Sequence, residues 1–249
     1  MNIGRNIYEQ LNGYLLMRCF DREKYLDELI NGVCLRMNSA EKFRENRNKF
    51  QGDPNDCAVL LDGDTLPGNL FVGNGSPQKK ICKADLKRFV INGYLYCFFA
   101  LPKAFFALQN GVLHYDDESS YCHSFFRCLN DYSDNSETGE CYAALFDAVS
   151  LTERIDAALS KEKDFEYCCG FVEYAKATSV ERIERFINGK QHELVFLKDP
   201  AYSYQCEFRY FATTPQPAEK YRDLHGINLS DILGLRFKYT PSDWTLNQV

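Results

Sequence analysis

The chain has no apolar run long enough to cross a membrane. Its longest, Leu95 to Leu101, is the size of a strand, where a spanning helix needs about 20 residues. The start, Met1-Asn-Ile-Gly-Arg-Asn6, lacks the basic opening and apolar core of a secretory signal. No Cys-x-x-Cys pair occurs, and Cys122, His123 and Cys128 have no second ligand pair at zinc spacing, so no metal site is expected. There is no Gly-x-Gly-x-x-Gly turn and no glycine loop ending in Gly-Lys-Ser or Gly-Lys-Thr, which leaves out the common phosphate-cradling loops. Positive charge is short too. A net charge of −6 argues against general affinity for polyphosphate, since such binding neutralises phosphates with Lys and Arg.

What is present is an ordinary globular balance: 249 residues, 45% hydrophobic and 26% charged. That suits one compact domain over residues 1–249. The 11 cysteines are odd in number and scattered through apolar stretches, as free thiols are in a reducing compartment. A soluble cytoplasmic protein without a membrane partner is the expectation. Lys79, Lys80, Lys83, Lys87 and Arg88 form the one local basic patch, read as a solvated face or a nucleic-acid contact.

Strand and helix signals alternate without a regular βαβ beat, which predicts an α+β fold: a single mixed-sheet domain with flanking helices. Tyr14–Phe20 reads as a buried strand whose single charge, Arg18, requires an anionic or hydrogen-bonding partner, structural or ligand. Asp21 reads as the cap of a helix over 22–31 that stops at Gly32. Asn38 or Ser39 caps another helix, anchored by Phe43. Gln51-Gly-Asp-Pro-Asn-Asp56 is a turn by composition, and residues 62–78 a loop with a brief strand at 70–72. Tyr94–Leu101 is a central strand. Further helices are expected over 117–129, over 150–161 capped by Ser150, and over 179–187. Phe165–Ala175 reads as a strand, and 227–239 as a helix and a strand.

The stretch Tyr202–Phe211 alternates strictly, as a strand with two unlike faces does. Tyr202, Tyr204, Cys206, Phe208 and Tyr210 share one face, and Ser203, Gln205, Glu207 and Arg209 the other. The polar row either meets water or faces a cleft.

Several stretches, taken in order, resemble a family of uncharacterised bacterial proteins found with phage-defence genes. They are Leu29–Ser39, Gly52-Asp-Pro-Asn-Asp56, Tyr96-Cys-Phe-Phe99, Tyr132, Gly139-Glu-Cys-Tyr142 and Lys198–Arg209. The likeness covers residues 14–212. Phe99 stands where the family has Ser, the His before Tyr132 is missing, and Gln205 replaces a Glu. That family is distantly similar to ADP-ribosyltransferases, including the DarT type that modifies DNA. The resemblance implies an ADP-ribosyltransferase-like fold and NAD as substrate, with a macromolecular acceptor that is nucleic acid or protein. It implies Glu207 and Gln205 as catalytic residues and Arg18 on the NAD pyrophosphate. Ser39 would support the site, Tyr14 and Phe43 would sandwich nicotinamide, and Arg209 would hold Glu207 ionised or simply pair with it. A non-enzymatic binding protein on the same scaffold is the alternative, because Phe99 and the missing His break the family's pattern.

Overall fold

The computed structural model describes residues 5–45, 53–61, 71–72, 79–80, 87–109, 112–188, 190–213, 219–242 and 245–248. Most of the expected loop over 62–78, together with Gly52, Lys83 and Trp244, lies outside them. Nine strands form the main sheet: β1 (Tyr14–Phe20), β2 (Leu35–Ser39), β3 (Tyr94–Pro102), β4 (Cys141–Asp147), β5 (Glu166–Phe171), β6 (Glu207–Thr213), β7 (Tyr221–Leu224), β8 (Leu233–Thr240) and β9 (Thr245–Gln248). They run in the order β5-β6-β3-β1-β4-β8-β9, while β2 joins β3 and carries β7. Every pairing in this sheet is antiparallel. The helices are α1 (Arg5–Leu11), α2 (Glu23–Ile30), α3 (Ala40–Glu45), α4 (Ser120–Ser133), α5 (Ala148–Leu159) and α6 (Val180–Ile187). The class is α+β, as composition and pattern imply.

Both faces of the central strands are buried, so their sequences are apolar throughout rather than alternating. On one face Leu16, Tyr96, Phe98, Ala144, Phe146, Phe208 and Tyr210 meet Leu26 and Leu29 of α2 and Leu151 and Ile155 of α5. On the other, Met17, Cys19, Phe99, Ala143 and Leu145 meet Phe125 and Leu129 of α4. Helix α2 buries Leu26, Leu29 and Ile30 at helical spacing. It ends where Gly32 takes a φ of +72°, with Gly32 N donating to Leu29 O and Val33 N to Glu28 O. Those two bonds make a Schellman stop, which needs the left-handed residue that glycine supplies.

Several local expectations change. Asp21 does not cap α2: Arg22 sits at that position, with no side-chain cap bond. Asp147, not Ser150, caps α5, and its carboxylate accepts from Ser150 N at 3.0 Å. Ser120–Ser133 is longer than the helix read over 117–129. The strand expected over 165–175 is broken after Phe171. Residues 227–232 form no helix.

The largest difference lies in Tyr202–Phe211. Pro200–Gln205 is a 3₁₀ turn, capped by Asp199, whose carboxylate accepts from Ala201 N at 3.0 Å. Cys206 is left-handed, with φ of +42°, and the strand begins only at Glu207. A cap residue followed by proline at the first helical position outweighs the alternation that follows.

Candidate functional site

The sheet is open along one edge of β3. On its far edge, Tyr94–Phe99 pair continuously with β6. On the near edge β1 pairs only with Phe99–Pro102, and β2 only with Tyr94 and Leu95. Between them, beside Tyr96, Cys97 and Phe98, no strand among the described residues is paired. Arg18 enters this gap. Its Nη1 donates to the Cys97 carbonyl at 2.7 Å, replacing the ladder bond a neighbouring strand would make. The guanidinium lies 4.7 Å from the Tyr96 ring centre and 5.5 Å from that of Phe20, close enough for cation–π attraction. Among the described residues Arg18 has no carboxylate partner, and its Nε is buried without a hydrogen bond. The expectation that Arg18 must find a partner is met by a backbone carbonyl and two rings.

Two clefts meet at this arginine. One, of about 210 Å³, is lined by Arg18, Phe43, Cys97, Phe99, Asp131, Lys198, Gln205 and Glu207 among others. The second, of about 370 Å³, is lined by Tyr25, Glu28, Arg36, Lys42 and Tyr96. Arg18, Phe20, Asp21, Asn38 and Tyr132 belong to both, so the two adjoin at the split. The larger falls within the ordinary size range of small-molecule sites, about 300–1,000 Å³.

At the floor of the smaller cleft lies a chain of buried charges. Lys198 (3% exposed) donates to Gln205 Oε1 at 2.6 Å and to Glu207 Oε2 at 2.9 Å. Glu207 (5% exposed) accepts in turn from Arg209 Nε. Arg209, fully buried, forks onto Asp56 with bonds of 2.6 and 3.0 Å and donates to Val195 O at 2.8 Å. Within the polar row Glu207 and Arg209 are therefore buried, while Gln205 is half-buried and Ser203 exposed. Burial opposes the charge on Glu207, but Arg209 and then Lys198 outweigh it and hold the carboxyl well below its usual range. The Cys97 thiol beside it is pushed well up, by burial first and by Glu207 second, so it is no thiolate nucleophile near neutral pH. Tyr204, on the same wall, donates to Asp131 Oδ2 at 2.8 Å and lies under Arg127, 3.7 Å away.

Two segments distant in sequence build this floor. Asp53 Oδ1 accepts from Asn55 N at 2.8 Å within its own turn, and Oδ2 accepts from Asp199 N at 3.1 Å. The Asp53-Pro-Asn-Asp56 turn is thus tied to the Lys198-Asp-Pro200 segment. That tie sets Asp56 behind Arg209.

Of the residues named from sequence, Arg18, Phe43, Gln205 and Glu207 line the smaller cleft. Arg209 lies behind Glu207. Ser39 is buried and serves as the cap of α3, its hydroxyl accepting from Lys42 N at 3.2 Å; it lines neither cleft. Tyr14 lines neither cleft and packs on Phe171 at 5.0 Å, so it forms no sandwich with Phe43. Gln205 belongs to the 3₁₀ turn rather than to the strand. Register also puts Arg18 and Glu207 on opposite faces. Glu207 pairs with Phe99 and Phe99 with Met17, whereas Arg18, one residue on, shares its face with Ala144. They reach one cleft because the sheet is open between β1 and β2.

Lys198, Asp56 and Asp131 were not singled out as site residues from the sequence. Lys198 and Asp56 stood only inside quoted motifs, and nothing local signals that Asp56 meets a residue 153 positions away. Comparison with protein-family models, curated proteins and solved structures finds no match for this chain.

Proposed function

We propose that this chain is an ADP-ribosyltransferase-like effector that uses NAD to modify a macromolecule, nucleic acid or protein, in phage defence or toxicity. The observation that supports the reading is the shared cleft: a guanidinium with no acid partner among the described residues and a carboxylate held ionised both line it. Arg18, whose Nε has no hydrogen-bond partner among the described residues, is a cation that suits an anionic group such as a pyrophosphate. Glu207 suits the ribose. Cleaving the nicotinamide–ribose bond develops positive charge on the sugar, and a nearby carboxylate stabilises it. Asp21, Asn38 and Tyr132 line both clefts and supply further polar contacts where a dinucleotide would cross from one to the other.

A second reading, a binding protein without chemistry on the same scaffold, has its own support. Both Glu207 oxygens already accept from cations, and the Phe99 ring occupies the position directly opposite Glu207. Incubation with labelled NAD and cell lysate separates the two. The first reading predicts label on a macromolecule, reduced on the order of 100-fold in Glu207→Gln. Equal labelling by wild type and variant removes Glu207 from the chemistry. NAD binding with no transfer of label favours the second reading.

A further inference from the structure

We propose that Lys198 determines what the cleft floor accepts: an uncharged, hydroxyl-bearing group such as a ribose diol, and not a guanidinium or ammonium. The inference rests on the cleft being a ligand site. It goes beyond the assignment of Glu207, because a bare carboxylate on a cleft wall attracts cations.

Glu207 is not bare. Lys198 Nζ sits 2.9 Å from its Oε2 and Arg209 holds its Oε1, while Asp56 lies behind Arg209 and answers that guanidinium. The four side chains are neutral together, and the cation nearest the cleft is the lysine, which lines it beside Glu207. A second cation seated there would face the Lys198 ammonium in poorly screened space, a like-charge juxtaposition that disfavours it. A hydroxyl meets no such penalty: Glu207 accepts once from Lys198 and twice from Arg209, which leaves one of its roughly four lone-pair sites for a donor. Lys198 has only hydrogens to give, so it also fixes the Gln205 amide with its oxygen toward the lysine, at 2.6 Å. Lys198 is thus a positioning residue, acting through Glu207 and Gln205.

The groups facing Glu207 are Arg209 on its own strand, Lys198 and Gln205 from the preceding segment, Cys97 from β3, and Tyr174, whose hydroxyl accepts from Glu207 N at 2.9 Å. Replacing the lysine by an uncharged side chain of similar length removes one of only two cations in that set.

The experiment compares the full chain with Lys198→Met and Lys198→Arg, each checked for a cooperative melt. In the ligand-free arm the Glu207 carboxyl is followed by carbon NMR against pH. Its midpoint is expected to rise by about one pH unit in Lys198→Met, and to stay low in Lys198→Arg. In the ligand arm, ADP-ribose and agmatine are titrated. The wild type is expected to prefer ADP-ribose, and Lys198→Met to shift the ratio toward agmatine by roughly tenfold or more. An unchanged midpoint in folded Lys198→Met overturns the proposal, as does a wild type that prefers agmatine. Absence of ADP-ribose binding to wild type with the midpoint shifted as expected counts against the NAD reading alone. If Lys198→Met does not fold, the wild-type preference and the Lys198→Arg midpoint decide.

Discussion

Arg209 is costly to leave unpaired. It is fully buried, and among the described residues its charge is balanced by Asp56, fully buried as well, and by Glu207, 5% exposed. Removing one partner of such a pair strands the other, so Asp56→Asn is expected to destabilise the fold by about 3–5 kcal/mol in urea unfolding. Glu207 adds a pH dependence whose sign follows from its lowered pKa. A carboxyl that ionises more readily folded than unfolded stabilises above its unfolded pKa, near 4.3, and that stability is lost as pH falls below it. Thermal midpoints are therefore expected to drop steeply below about pH 4.3 and less steeply in Glu207→Gln. Asp147 and Asp223, also lowered, keep part of the dependence in that variant. Sequence reading found Arg18 because one charge in an apolar strand needs an explanation. It did not find Asp56 or Lys198, because a turn aspartate and a lysine before Asp-Pro are unremarkable until folding sets them against Arg209 and Glu207.

At the scale of elements, α2 walls the larger cleft through Tyr25, Glu28 and Leu29, and its exit depends on Gly32. An alanine there would hold a left-handed conformation and bring its Cβ to 2.9 Å from the Asn228 backbone nitrogen. Gly32→Ala is expected to cost about 1–2 kcal/mol for the conformation alone, with a lowered melting midpoint and weakened ligand binding in the cleft that α2 borders. The stop at Gly32, the cap at Ser39 and the central strand β3 were all legible, since each rests on residues adjacent in the chain. The late strand was misread at its start for the converse reason. Perfect alternation over 202–211 predicts one strand, but the Asp199-Pro200 cap just before it starts a 3₁₀ turn instead. Gln205 reaches the floor all the same, through Lys198 rather than through strand periodicity.

For the whole molecule, the decisive feature is a nine-stranded sheet that parts along one edge of β3, where an arginine fills the gap. No window of sequence encodes that opening. It arises from where β1 and β2 stop pairing with a common neighbour, which is a property of register over distances of many tens of residues. Composition and pattern sufficed for the α+β class, and for the absence of any helix among the described residues long and apolar enough to cross a membrane. They did not reveal that Arg18 and Glu207 leave opposite faces and still share a cleft. The account stands on that shared cleft binding a dinucleotide. Calorimetric titration of NAD into wild type and Arg18→Met tests it most directly. Saturable binding to wild type is expected, weakened as salt screens the guanidinium and lost in a folded Arg18→Met. Binding of equal strength to both proteins, or no binding to the wild type, contradicts it.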